Sequence, residues 1–161
     1  MCVIMKTIYL SGPITDPITG KPRDGWQKDF LNAEAKLRCM GFHVLNPVDI
    51  AQEVEDAFKW RFGRFGGPCN GFGEPYPPTR ADYIIACLQR MQMAHDADCL
   101  HGVYVIGGEN EVFASDGVRM ELFMADLLSV PIYAESAEDH QVNAVLIPQP
   151  ESESIEELLK D

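Results

Sequence analysis

The sequence lacks the features that define membrane, secreted and disulfide-rich proteins. No apolar run approaches the roughly 20 residues that a membrane-spanning helix needs, so no membrane partner is expected. The opening residues 1–6 lack the charged start and the small-residue cleavage site of a signal peptide. The cysteines number five, an odd count, and none are in CxxC spacing. This pattern favours reduced thiols in a cytoplasmic protein over a disulfide scaffold or a zinc ribbon.

Basic residues are also scarce. Lys and Arg number 13 against 25 Asp and Glu, and the formal net charge is −12. Such a surface argues against binding duplex nucleic acid, which needs clustered cations. A small phosphate ligand is still possible, because a few backbone N–H groups can hold it. His43, His95 and His101 fall on different predicted elements, so we expect no metal site.

What is present is a regular alternation of apolar strands and amphipathic helices. Strands are expected at 3–10, 42–45, 99–106, 130–133 and 144–147, and helices at 24–40, 48–60, 80–96, 116–129 and 155–159. Continuous apolar strands between helices indicate a parallel sheet covered on both faces. We therefore predict one α/β domain over residues 1–161, a doubly wound, flavodoxin/Rossmann-like parallel sheet of five strands in the order 2-1-3-4-5.

Two segments stand apart from this pattern. Residues 61–79 hold five of the 13 glycines and four of the 11 prolines, together with several aromatic side chains. A loop of this length tends to be a lid, a binding loop or an oligomer contact. Arg61 and Arg64 within it are candidates to contact a ligand phosphate. The acidic tail at 151–161 reads as a solvated end.

The predicted strand order places a ligand crevice where the first and third strands part. The loops at that crevice are residues 11–16 and 107–116. Ser11, Gly12 and Thr15 offer hydroxyls and an unhindered backbone, and Ser115 is a plausible N-cap at the positive end of a helix, which suits an anion. Each feature alone is also common turn or cap chemistry.

One carboxylate lies beside the inward face of the helix that follows Ser115. Val118, Leu122, Ala125 and Ser129 repeat at helical spacing, and Glu121 falls at the edge of that face. A carboxylate there either extends to water along its apolar stem or is buried for a function.

Two stretches taken together resemble the nucleoside 2-deoxyribosyltransferase family, including phage and bacterial branches of uncharacterised function. The motifs are Tyr9-Leu10-Ser11-Gly12-Pro13-Ile14-Thr15 with a later Asn46-Pro47, and Ser115-x-Gly117-x-x-x-Glu121-x-x-x-Ala125 ending in Val130-Pro131-Ile132. The second motif is also similar to the 2'-deoxynucleoside 5'-monophosphate N-glycosidases. The resemblance covers residues 6–46 and 97–133, but neither the aromatic loop nor the tail.

The resemblance implies a role for each matched residue. Glu121 would be the nucleophile that traps the sugar C1', and it would have to stay ionised. Ser115 and Gly117 would hold a 5'-phosphate or 5'-hydroxyl. The residues expected on the sugar and base side are Ser11, Gly12, Pro13 and Asp16. Family members are typically dimers or larger, which implies a homo-oligomer with shared sites and a nucleoside or nucleotide as the small-molecule partner.

The chain departs from the family at the residue that assists protonation of the leaving group. The family has an aspartate eight residues before the Ala-Asp that opens the third strand, and this chain has Arg90 there. Asp82 is the nearest substitute, about 12 Å away along the helix axis. Either the acid comes from Asp82, Asp96 or a neighbouring subunit, or the ordinary reaction is lost. Arg90 either grips a phosphate or pairs with a glutamate on the helix surface.

Three hypotheses follow. The first is an enzyme that cleaves or transfers the N-glycosidic bond of a 2'-deoxynucleoside or its 5'-monophosphate, without metal or cofactor. The second is a non-catalytic nucleotide-binding or sensor module on the same fold. The third is a structural oligomer in which the aromatic loop is chiefly a subunit contact. Trp26 and Trp60 could stack on a base or be buried between subunits.

Overall fold

A computed structural model describes residues 5–16, 18–65, 77–107, 115–134 and 145–146. Its strands are β1 (Thr7–Ser11), β2 (His43–Leu45), β3 (Leu100–Val105), β4 (Ile132–Ala134) and β5 (Val145–Leu146), in the order β2-β1-β3-β4-β5. The first four are mutually parallel, and β5 pairs antiparallel with β4. The α/β class and the parallel order 2-1-3-4 are therefore confirmed, and a parallel fifth strand is wrong. Ten residues separate β4 from β5, whereas a parallel crossover takes about a dozen or more.

Four helices are described: α1 (Trp26–Cys39), α2 (Pro47–Phe65), α3 (Arg80–Asp96) and α4 (Asp116–Leu127). Helix α3 has the predicted bounds. Helix α2 continues through 61–65, although these residues were expected to be loop. The stretch 60–65 has no proline and no pair of glycines that would end the helix. The remainder of the expected loop up to residue 76, the expected helix at 155–159 and the acidic tail at 151–161 lie outside the described residues.

The helices cover both faces of the sheet because alternate β1 side chains point to opposite sides. Ile8 and Leu10 pack with Phe30 of α1 in one core. Tyr9, between them, belongs to the other core, with Met91 of α3 and other side chains of α2 and α4. Ser129, expected on the inward face of its helix, is exposed, because it lies beyond the end of α4.

Side-chain contacts fix the loop between β1 and α1 against the end of β1. The Arg23 guanidinium donates to the Pro13 carbonyl oxygen from Nε at 3.0 Å and from Nη2 at 2.6 Å. Thr15 and Pro22 form an isolated antiparallel bridge. The loop is thereby held at the carboxyl edge of the sheet, where it forms one wall of the cavity described below.

Within the described ranges, no helix combines the length and the apolar character that crossing a membrane requires.

Candidate functional site

A cavity of about 460 Å³ opens at the carboxyl edge of the parallel strands. This volume falls in the range of small-molecule sites. Its wall combines the turn after β1 with residues of α1, α2, α3 and the start of α4. The lining residues used below are Gly12, Ile14, Trp26, Ala51, Glu55, Arg80, Tyr83, Ile84, Cys87, Ser115, Gly117 and Glu121. The two turns that the sequence singled out therefore meet at one cavity.

Glu121 contributes a buried carboxyl to this cavity. Only 9% of the residue is exposed, because Val118, Leu122 and Ala125 turn this side of α4 onto the sheet. Burial disfavours the charged form and raises the pKa of Glu121 from 4.5 to about 8. The side chain does not extend to water, and at pH 7 it is mainly protonated. This pKa runs against the expectation that the carboxyl stays ionised, because burial outweighs the polar groups around it.

Two hydroxyls on β1 face the Glu121 carboxyl. Those of Tyr9 and Ser11 are close enough to lower its pKa, although burial outweighs them. Neither hydroxyl closes a hydrogen bond of ordinary length and angle, and Glu121 Oε2 also lacks a partner among the described residues. Buried polar atoms without partners are rare and costly. They leave hydrogen-bonding capacity for a ligand at this end of the cavity.

Cys87 of α3 is a site residue that the sequence analysis missed. Burial, followed by the Glu121 charge, raises the pKa of its thiol to about 12, although a contact with Tyr9 lowers it somewhat. The thiol therefore stays protonated, and it cannot serve as a thiolate nucleophile at neutral pH. The same burial and the nearby Glu121 and Cys87 raise the pKa of the Tyr9 phenol. Glu121 is thus the one group in this buried cluster that ionises near physiological pH.

The mouth of the cavity lies at the N-terminus of α4. Ser115 caps this helix, its Oγ accepting from Val118 N at 3.4 Å, and Ser115 and Gly117 both line the cavity as predicted. Arg80 of α3, which the sequence analysis did not single out, lines it too. Its guanidinium lies 3.6 Å from an Asp116 carboxylate oxygen. The mouth therefore combines a helix N-terminus, which suits an anionic ligand group, with an arginine whose charge is partly offset by Asp116.

The turn after β1 divides the remaining predicted residues. Gly12 lines the cavity, and a Cβ there would lie 3.1 Å from Phe30 Cζ. Ser11 reaches the site only through Glu121. Pro13 and Asp16 do not line the cavity: the Pro13 carbonyl oxygen binds Arg23, and Asp16 Oδ1 accepts from Ile18 N at 2.7 Å in a local turn. Aspartate favours such turns, because its side chain accepts a hydrogen bond from the backbone two residues further on.

Asp82 and Arg90 also lie away from the cavity lining. Asp82 forms a capping box at the start of α3, accepting from Thr79 N at 2.7 Å. The spacing of Thr79 and Asp82 is the sequence signature of that box. Arg90 pairs with Glu53 of α2 at 3.5 Å on the helix surface. Of the two alternatives for Arg90, pairing with a glutamate on the helix surface is therefore the one that the structure shows.

A second polar group faces the cavity from α2 and α3. The Tyr83 hydroxyl donates to Glu55 Oε1 at 3.3 Å. Trp26 of α1 lines the same cavity and packs edge-on against Phe30, with ring centroids 5.6 Å apart. Glu55 and Tyr83 were missed by the sequence analysis. A signal existed in the helical spacing of Arg80, Tyr83, Ile84 and Cys87, which puts these side chains on one side of α3.

Among the residues described, no group of His, Cys, Asp and Glu side chains could hold a metal ion. His101 lies between the rings of Phe42 and Tyr133, with centroids 5.7 and 6.2 Å away. Its place is in side-chain packing away from the cavity. The candidate site thus consists of a buried carboxyl, two hydroxyls, a helix N-terminus beside the Arg80–Asp116 ion pair, and an aromatic wall.

The fold and this cavity define an α/β protein with a ligand-sized pocket at the carboxyl edge of its sheet. Comparisons with protein-family models, with curated proteins and with solved structures found no match.

Proposed function

We propose that this chain cleaves or transfers the N-glycosidic bond of a 2'-deoxynucleoside or its 5'-monophosphate, with Glu121 as the nucleophile. The observation that carries the proposal is the position of the Glu121 carboxyl. It lies in the same cavity as Gly12 and the Ser115–Gly117 turn, which are far apart in the chain. The family resemblance of those two turns supplies the substrate class.

In the proposed reaction, a Glu121 carboxylate oxygen forms a bond to the sugar C1' while the bond from C1' to the base nitrogen breaks. The electron pair of the broken bond leaves with the base, which takes up a proton from solvent water. Water then hydrolyses the glycosyl ester, releasing the deoxyribose and a proton and regenerating the Glu121 carboxylate, or a second base attacks C1' and receives the deoxyribosyl group. The N-terminus of α4 and Arg80 would hold the 5' end of the sugar. The proposed reaction needs no metal or cofactor.

The pKa of about 8 makes the reactive carboxylate a minority form at pH 7, about a tenth of the molecules. The hydroxyls of Tyr9 and Ser11 support that form, because both lower the pKa of Glu121. Positive charge developing on the sugar in the transition state favours the carboxylate further. The ionised Glu121 carboxylate is therefore stabilised more in the transition state, where the sugar carries positive charge, than in the resting state.

The test is release of free base from the four common 2'-deoxynucleosides and their 5'-monophosphates, followed by chromatography. We expect release from at least one of them, and a loss of at least about 10³-fold in kcat for Glu121→Gln. Glu53→Gln is the matched control, because Glu53 lies on the surface of α2. The proposal fails if none of the compounds releases base, or if Glu121→Gln turns over as fast as the control.

A second candidate is a non-catalytic nucleotide-binding module. Two features favour it: burial raises the pKa of Glu121 to about 8, and neither Asp82 nor Arg90 lines the cavity. If this candidate is correct, calorimetry should show that a deoxynucleotide binds without turnover, and the binding should survive Glu121→Gln. Retained binding together with base release by the unaltered protein would reject it.

Three wider properties belong to the same proposal. The presence of helices on both sheet faces supports a doubly wound, flavodoxin/Rossmann-like architecture. The resemblance supports a homo-oligomer whose subunits share sites, which light scattering would test. Cys39, Cys87 and Cys99 have free thiols, which suits a cytoplasmic protein.

A further inference from the structure

The polar pair opposite the predicted nucleophile has no role in the reaction proposed above. Glu55 and Tyr83 line the cavity from α2 and α3, joined by a hydrogen bond from the Tyr83 hydroxyl to Glu55 Oε1. Glu121 lies on α4, the helix on the other side of α3. The cavity therefore holds carboxyl groups on two helices that flank α3.

The surroundings of the pair suit a flat aromatic ligand. Ile14, Trp26, Ala51 and Ile84 give the same cavity apolar lining. Trp26 is half-buried and held edge-on by Phe30. A planar ring can bury its faces against such a surface, and its polar edge must then be satisfied by the few polar groups present.

The chemistry of Glu55 limits what that edge can be. An ionised carboxylate only accepts hydrogen bonds. The Tyr83 hydroxyl donates its hydrogen bond to the same carboxylate. The oxygen atoms that the pair presents to the cavity are therefore hydrogen-bond acceptors. A ligand edge with N–H donors is therefore favoured, and an edge with carbonyl oxygens is left unpaired or repelled.

We infer that Glu55, positioned by Tyr83, reads the edge of the base and selects bases with an exocyclic amino group over thymine and uracil. Adenine and cytosine each present an amino group, and guanine presents an amino group beside a ring N–H. Thymine and uracil present a single N–H between two carbonyl oxygens, which is a poor match for a carboxylate. This inference rests on the proposed function in taking a nucleotide as the ligand.

The test is calorimetric binding of dAMP, dGMP, dCMP and dTMP to the full chain with Glu121→Gln, which prevents turnover. We expect at least one of the amino-bearing nucleotides to bind about 10-fold or more tightly than dTMP. Adding Glu55→Gln should reduce that preference to about twofold or less, because an amide offers donors as well as acceptors. Adding Glu53→Gln is the matched control and should leave the preference unchanged, since Glu53 lies outside the cavity lining.

Tyr83→Phe separates the contributions of the two side chains. It keeps the ring and removes the hydroxyl that positions Glu55, so we expect the preference for amino-bearing bases to fall, but by less than in Glu55→Gln. Loss of the preference in Tyr83→Phe but not in Glu55→Gln would overturn the inference. It is also overturned if dTMP binds as tightly as the others, if the preference survives Glu55→Gln, or if none of the four binds.

The failure of this inference can be told from that of the proposed function. If the binding preference depends on Glu55 but the unaltered protein releases no base, the glycosidic reaction is wrong and base recognition stands. If base is released from all four nucleotides alike and Glu55→Gln changes nothing, the reaction stands and base recognition by Glu55 is wrong.

Discussion

Replacing Glu121 by glutamine should stabilise the protein at neutral and alkaline pH while removing the proposed activity. The folded state holds the Glu121 proton up to about pH 8, whereas an unfolded glutamate releases it near pH 4.5. Between these two values the folded state binds more protons, so stability falls as the pH rises. Glutamine has nearly the same shape and no proton to release, so Glu121→Gln should not show this fall.

The size of the effect follows from the two pKa values. A tenfold change in ionisation corresponds to about 1.4 kcal/mol. A carboxyl with a pKa of about 8 in place of 4.5 therefore lowers the free energy of unfolding by up to about 3 kcal/mol at pH 7 and up to about 5 kcal/mol above pH 8. Both figures are upper bounds, since the native structure can relax around the charge.

The measurement is urea denaturation of the unaltered protein, Glu121→Gln and Glu53→Gln at pH 4.5, 7 and 8.5. The advantage of Glu121→Gln should be smallest at pH 4.5 and grow with pH. Glu53 is exposed on α2, so its variant should stay within about 0.5 kcal/mol of the unaltered protein throughout. A Glu121→Gln advantage that is the same at all three values would refute the reasoning. The carboxyl would then ionise normally in the folded state, with Tyr9 and Ser11 offsetting its burial.

Three further predictions concern the site and its supports. If base is released, kcat/KM should rise with pH towards about 8 as Glu121 ionises in the free protein, and a profile flat from pH 6 to 9 would contradict this assignment. Asp82→Ala should lower the free energy of unfolding by about 1 kcal/mol through loss of the capping box and leave kcat unchanged. A large fall in kcat in a variant that is still fully folded would instead support Asp82 as the catalytic acid. Gly12→Ala should cost about 1–3 kcal/mol, because its Cβ would lie 3.1 Å from Phe30 Cζ and 3.2 Å from Ile106 Cβ, and unchanged stability would show that these neighbours yield.

The position of Glu121 links stability to function in this molecule. Its burial beside the Tyr9 and Ser11 hydroxyls, which have no hydrogen-bond partner in the described part of the chain, is unfavourable for the folded state and leaves hydrogen-bonding capacity at the end of a cavity. Such local conflicts in an otherwise consistent fold are typical of functional sites. In a core without a functional site, an apolar residue at position 121 would avoid the cost of burying this carboxyl.

The class and strand order were predictable because they depend on local periodicity. The apolar run around β1, the helical spacing of Val118, Leu122 and Ala125, and the breaks at glycine and proline are properties of neighbouring residues. They also predicted that Gly12 and Ser115 meet at one edge, since parallel strands end on the same side. The direction of β5 was predicted wrongly, although its ten-residue connection to β4 is shorter than a parallel crossover usually needs.

The four described helices, the parallel order of the first four strands and the meeting of the two turns with Glu121 could be predicted from the sequence. The tertiary structure was needed for the protonation state of that carboxyl, because a pKa depends on how completely distant segments exclude water. It likewise placed Glu55 and Tyr83 in the cavity and Asp82 in a helix cap. These outcomes depend on distances between residues far apart in the chain, and local patterns do not carry those distances.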